Sequence, residues 1–280
     1  MTVRELLREG RELLSRSGIS DTVDLDTSLL LCHVLGIGRE KLFALLPDPV
    51  DEAGAEEFLK LTEQRCRNYP VAYLTGSKEF FGRDFTVGEG VLCPRPDTEI
   101  LVEKSLEFLE GQDEPELLDL CSGSGCVGLT LALERPDSRV VCVDIDEAPE
   151  KAFYKNRESL EAKNASFTRS NLFRNVKGLF HLIATNPPYL TSDETSERMD
   201  EGWKEPALAL DGGEDGLDLV EEIVKKSIDY LAPEGYLLIE AHPEQMTGIL
   251  QMMGTAGFTS LGTADDLAGR KRVAYGRRKK

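Results

Sequence analysis

From residue 97 onward, strand-like apolar runs take turns with helix-period segments. The runs fall at 116–120, 139–143, 166–169, 181–185 and 235–241. The helical segments fall at 97–109, up to 134, 148–163, 217–231 and 244–254, and two short strands follow near 257–262 and 271–276. Near-continuous apolar strands must be covered on both faces, and helices inserted between them cover a sheet whose strands run parallel. The expected fold class is therefore α/β with a mostly parallel, seven-stranded sheet.

The first 70 or so residues have a different texture. Thr2 and Glu5 form a capping-box pair ahead of Val3, Leu6, Leu7, Leu13 and Leu14, which share one helical face. A second helix is expected over about 24–36. A third carries Ala55, Phe58, Leu59, Thr62 and Cys66 at helical spacing and stops at Asn68-Tyr69-Pro70, because proline cannot continue the ladder. Residues 78–81 and 85–87 around Gly82-Arg83-Asp84 read as a hairpin. The expected organisation is a helical bundle over 1–72, a β-hairpin connector over 73–96 and a catalytic domain over 97–280.

Three local features carry chemistry. The first is the turn Asp119-Leu120-Cys121-Ser122-Gly123-Ser124-Gly125-Cys126, where a strand hands over to a helix. Its glycines admit a ligand close to the backbone, and the helix start favours an anionic group. Alone it fits many nucleotide-binding folds, or a tight turn with no ligand. The second is Asp144, at the end of the next strand and 19 residues past Gly125, where a carboxylate can accept both hydroxyls of a ribose. That spacing suits a nicotinamide dinucleotide or S-adenosylmethionine.

The third feature separates these cofactors. Asn186-Pro187-Pro188-Tyr189 directly follows the strand at 181–185. Two prolines stiffen the backbone, so the Asn186 side chain and the Pro187 carbonyl take set directions. Their oxygens can accept both hydrogens of a planar NH2 group while the Tyr189 ring lies against its plane. This arrangement aims a nitrogen at an electrophilic methyl. A loop that only closes a strand has no need of all four residues.

The formal net charge of −18 disfavours stable nucleic acid binding. The cysteines Cys32, Cys66, Cys93, Cys121, Cys126 and Cys142 form no C-x-x-C pair, and His33, His181 and His242 are scattered, so no metal is expected. No apolar run is long enough to cross a bilayer and no signal-peptide core is readable; a cytoplasmic location without membrane attachment is expected. A monomer is expected, since no exposed heptad or apolar patch is visible.

At these motifs the sequence resembles the HemK/PrmC family, protein-(glutamine-N5) methyltransferases that modify peptide chain release factors. The likeness extends through 70–76, Pro94-Arg95-Pro96-Asp97-Thr98-Glu99, Glu205-Pro206, 209–217 and Asp266-Leu267-Ala268-Gly269-Arg270. It implies a Rossmann-like methyltransferase domain and a small N-terminal helical domain that helps grip the release factor. It implies methylation of the glutamine of a Gly-Gly-Gln motif, with S-adenosylmethionine as cofactor and S-adenosylhomocysteine as product. The cofactor would lie at Cys121, Ser122, Gly123, Ser124, Gly125, Asp144, Asn171, Leu172 and Asn186, and the acceptor at Asn186, Pro187, Pro188 and Tyr189, with Asn186, Pro187 and Tyr189 catalytic. Arg95 has two readings: a cofactor contact at the methionine carboxylate, or an ion pair with a neighbouring acid.

Some positions depart from the family pattern. Cys121 stands where glycine is common, Asn171-Leu172 where an aspartate precedes an apolar residue, and His242 where glycine is common. An adenine-N6 methyltransferase of DNA or RNA uses a similar loop but needs a basic face. An NAD-dependent oxidoreductase leaves 186–189 unexplained. A binding module with a relic fold predicts damage in the motif, and none is visible.

Overall fold

A computed structural model describes all 280 residues, Met1–Lys280, which divide into two compact units. One unit holds Met1–Ser77 together with Arg198–Lys204. Its helices are α1 (Val3–Ser17), α2 (Val23–Leu35), α3 (Arg39–Ala44), α4 (Glu52–Arg65) and α5 (Val71–Thr75). The capping box at α1 forms as the sequence predicts, with Thr2 accepting from the Glu5 N–H and Glu5 from the Thr2 N–H. Leu6, Leu7, Leu30, Leu31, Leu42, Phe58 and Leu61 make its core. A Cβ on Gly10 would lie 2.7 Å from the Phe58 ring, so glycine there lets α1 and α4 approach. The buried Asp26 is satisfied by Arg65 at 2.8 Å, Ser20 at 2.7 Å and Thr22 at 3.0 Å. Trp203 packs under the Arg198 guanidinium, 4.6 Å from its ring centroid. The sequence reading missed α3 and α5, which are too short to show a period.

The other unit holds Lys78–Glu197 and Glu205–Lys280. The hairpin strands are β1 (Ser77–Phe80) and β2 (Arg83–Thr86). Then come α6 (Glu99–Phe108), β3 (Glu116–Leu120), α7 (Cys126–Glu134), β4 (Arg139–Asp144), α8 (Glu147–Ser159), β5 (Ala165–Arg169) and β6 (Phe180–Thr185). After α9 (Ser192–Asp200) and α10 (Asp218–Tyr230) follow β7 (Leu231–Glu240), α11 (Met246–Thr255), β8 (Thr259–Asp265) and β9 (Lys271–Arg277).

The large sheet has seven strands in the order β5-β4-β3-β6-β7-β9-β8, all parallel except β9, which is antiparallel to both neighbours. Alternate strand residues bury into opposite layers. Leu117, Leu182, Leu238 and Val273 join a core with α6, α7 and α8, while Leu118, Ile183, Leu237, Ile239 and Ala274 join one with α10 and α11. This two-sided burial is why the strands read as continuous apolar runs.

The chain leaves β3 toward β4 and β5, then returns to form β6 on the other side of β3. At such a switch point the loops after neighbouring strands part and leave a crevice at the carboxyl edge. Register makes that edge even, with Leu120 level with Val143 and Thr185. The Thr185 hydroxyl donates to the Leu120 carbonyl at 2.9 Å, and the Ser122 N–H to the Val143 carbonyl at 3.0 Å. The loops beginning at Cys121, Ile145 and Asn186 therefore start side by side.

Candidate active site

A cavity of about 320 Å³ opens at this edge, a size suited to a small ligand. Arg95, Cys121, Ser122, Gly123, Ser124, Asp144, Asn171, Leu172, Asn186 and Pro188 all line it. Gly125, Pro187 and Tyr189 do not. Gly125 caps α7 with φ +79°, and a Cβ there would lie 2.9 Å from the Phe153 ring. Pro187 is buried and Tyr189 half-buried beside the cavity.

The β3–α7 turn is built for a ligand. Asp144 accepts from the Gly123 and Ile145 N–H groups, both at 2.8 Å. Asp119 accepts from the Gly128 N–H at 2.8 Å, and a Cβ on Gly128 would come 2.3 Å from the Cys142 sulfur. Burial pushes the Asp119 carboxyl up to about 7 and also raises Asp144. The Ser122 and Ser124 hydroxyls are buried without a hydrogen-bond partner. A ligand carrying hydroxyls, an anionic group and a positive centre would satisfy these atoms together, and S-adenosylmethionine carries all three. Cys121 adopts φ +56° and Leu172 φ +45°, conformations that glycine or asparagine tolerates best. Backbone strain of about 1–3 kcal/mol at each is the kind that clusters around ligand clamps.

In the loop after β6, the Asn186 Nδ2 donates to the Thr98 hydroxyl at 3.2 Å. Its Oδ1 is thereby left for a donor from outside the chain, and no hydrogen bond within the chain occupies the Pro187 carbonyl. The rest of the loop is held from behind. Leu190 donates to the Leu210 carbonyl at 3.0 Å, and Gly212 donates back to the Leu190 carbonyl at 2.8 Å. Gln245 Nε2 donates to the Tyr189 carbonyl at 3.0 Å and the Gly216 carbonyl at 3.3 Å, while its Oε1 accepts from the His242 N–H at 3.0 Å. This gives His242 a backbone role and explains the 209–217 motif as a brace for 186–189.

Arg95 donates to Glu205 at 2.5 Å, and Glu205, almost wholly buried, also accepts from the Cys93 N–H at 3.0 Å. The ion-pair reading of Arg95 is realised, with the side chain still on the cavity wall. Sequence reasoning had no role for Thr98, Glu205 or Gln245, because each acts through a partner distant in the chain. Thr98 and Glu205 stood in short motifs, and Gln245 stood in none.

One consequence concerns pH. Glu240, like Asp119, is buried and pushed up to about 7. Carboxyls in the unfolded chain titrate near about 4, so between about pH 5 and pH 7 the folded state binds more protons. Stability is expected to rise as pH falls from about 8 to about 5, and Asp119→Asn is expected to flatten that slope. Thermal unfolding at both ends of the range checks this; a wild-type midpoint that falls on acidification contradicts it.

The chain is similar in sequence to known methyltransferases. Residues 5–76 match the PrmC N-terminal domain, and residues 97–203 match the methyltransferase small domain. A release factor glutamine methyltransferase from Clostridium botulinum is 34% identical over 285 residues, covering 99% of this chain and 100% of that protein. One from Burkholderia pseudomallei is 35% identical, covering 90% of this chain and 91% of that protein. Among solved structures, a methyltransferase from Pyrococcus furiosus superposes with a TM-score of 0.54 at 15% identity, over 78% of this chain and 100% of that one, a likeness of fold.

Proposed function

The chain belongs to the release factor glutamine methyltransferase family, and from that premise we propose how its site methylates the glutamine side-chain amide nitrogen. The acceptor is the glutamine of a Gly-Gly-Gln motif in a peptide chain release factor. The reading is supported by Asn186, which lines the cavity and whose amide nitrogen is engaged by Thr98, so that its oxygen is the end left for a substrate.

Asn186 Oδ1 and the Pro187 carbonyl accept the two hydrogens of the glutamine NH2 group, and Tyr189 lies against its plane. Ser122 to Gly125 and Asp144 would hold the cofactor, and Asn171 and Leu172 would take its adenine. S-adenosylmethionine, when bound, supplies a methyl already activated by its positive sulfur. An amide nitrogen is a poor nucleophile because its lone pair is delocalised, so the chain must contribute alignment, worth up to ~7–11 kcal/mol in ideal geometry. The N–H groups strengthen as donors while the nitrogen turns positive, so the same two acceptors bind the transition state more tightly than the ground state. The proton leaves after transfer, when the nitrogen is strongly acidic, and no base is needed beforehand.

The helical bundle over 1–72 grips the release factor, the hairpin over 73–96 connects, and 97–280 catalyses. The protein acts as a cytoplasmic monomer without stable nucleic acid binding. No helix is long and apolar enough to cross a membrane. Labelled S-adenosylmethionine offered with a release factor, its Gln→Ala variant at Gly-Gly-Gln and unmethylated duplex DNA tests the proposal. Label on the intact release factor alone is expected. Label on DNA alone would overturn the acceptor.

A further inference from the structure

Three stretches that line the cavity are joined into a ring. They are Cys93 to Thr98, Asn186 to Leu190 and Glu205 to Gly212. They reach the cavity through Arg95 and Thr98, Asn186 and Pro188, and Pro206 and Ala209. Thr98 accepts from the Asn186 Nδ2 at 3.2 Å, which joins the first stretch to the second. Leu190 donates to the Leu210 carbonyl at 3.0 Å and Gly212 to the Leu190 carbonyl at 2.8 Å, which joins the second to the third. Glu205 closes the ring. One of its carboxylate oxygens accepts from the Cys93 N–H at 3.0 Å, and the other accepts from Arg95 at 2.5 Å. Glu205 is 4% exposed, and a carboxylate so buried is tolerated only when it is paired and hydrogen-bonded. Both of these donors belong to the same short stretch.

The path from Glu205 to Asn186 is stiff. Pro94 and Pro96 fix φ on either side of Arg95, and a residue before proline is driven to extended backbone. Arg95 shows this with φ −105° and ψ 140°. The Thr98 N–H donates back to the Arg95 carbonyl at 3.1 Å. A shift at Arg95 is therefore carried to Thr98, and from its hydroxyl to Asn186. The path from Glu205 to Leu190 is compact as well, since the Leu210 and Asp211 N–H groups both donate to the Ala207 carbonyl at 2.9 Å. We infer that Glu205 is a positioning residue for methyl transfer: by closing the ring it fixes Thr98, and through Thr98 the Asn186 amide. This inference rests on the acceptor role given to Asn186 above. The motif at 94–99 and Glu205-Pro206 are then two halves of one clasp, 110 residues apart in the chain at Arg95 and Glu205. The β3–α7 turn stands outside the ring, secured by Asp144 and the Val143 carbonyl. Opening the ring therefore disturbs the acceptor and leaves the cofactor in place.

A double-mutant cycle tests the relay. Glu205→Ala is expected to lower kcat at least about tenfold, because a small displacement of an aligning group costs that much or more, while the cofactor Kd stays within about twofold. Thr98→Val is expected to lower kcat by a similar factor. E205A and T98V together are expected to cost no more than either alone, since both cut the same relay. Glu205→Gln keeps an acceptor for the Cys93 N–H and is expected to lose less than E205A. Losses that multiply in the double variant would overturn the inference. So would E205A with wild-type kcat, or a cofactor Kd weakened as much as kcat. Should E205A fail to fold, E205Q takes its place in the cycle with the same outcomes. Whether the wild type labels a release factor at all decides the acceptor separately. The Asn186 side-chain amide signals in an NMR spectrum report the ring with no acceptor present. They are expected to shift in E205A toward their positions in T98V; signals left at their wild-type positions sink the inference, whatever the acceptor is.

Discussion

Asn186→Ala is expected to cut methyl transfer at least about a hundredfold while leaving cofactor affinity nearly unchanged. The substitution removes the oxygen that Thr98 holds toward the acceptor, at 3.2 Å from the other end of the same amide. It leaves the β3–α7 turn and Asp144 in place, because those are secured by the Gly123, Ile145 and Val143 backbone. The Pro187 carbonyl still accepts one hydrogen, so some turnover persists. A single-turnover assay alongside cofactor titration separates the two effects. Turnover close to wild type would remove Asn186 from the mechanism, and lost cofactor affinity would recast it as a binding residue.

Gly216→Ala is expected to be nearly as damaging although residue 216 carries no chemistry. A Cβ there would lie 2.3 Å from the Tyr189 carbonyl oxygen and 2.7 Å from Gln245 Nε2. Neither neighbour can yield freely: the first is backbone of the 186–189 loop, and the second is the side chain that braces it. Residue 216 also holds φ +73°, which costs alanine about 1–2 kcal/mol by itself. The loop must shift, and a displacement of about 1 Å at an aligning group can lower the rate about a hundredfold. Gly111→Ala is the control, since Gly111 has the same φ of +73° with open space around its Cβ position. Equal losses of stability with equal activity in the two variants would show that only backbone strain matters at 216, and not the approach to Tyr189.

The parts of the molecule legible in the sequence are those governed by neighbours along the chain. The central strands β3, β4, β6 and β7 were readable because each is an apolar run next to helical segments, and the α1 cap because Thr2 and Glu5 are three residues apart. The turn at 121–125, Asp144 and Asn186 to Tyr189 were readable because each ends or directly follows a strand. By contrast α9, sequence SDETSERMD, buries only Thr195 and so shows no apolar period. Its existence depends on its surroundings.

Family membership and fold class were thus determined by sequence, through local periodicity and through short motifs of fixed residue types. Tertiary structure alone decided how the motif is aimed. Asn186 meets Thr98 across 88 residues of chain and Arg95 meets Glu205 across 110. Gln245 reaches Tyr189 only because the sheet order places β6 beside β7 and gathers the loops that follow them at one edge. A hydrogen bond needs its two partners within about 3 Å, and no run of consecutive residues brings these pairs together.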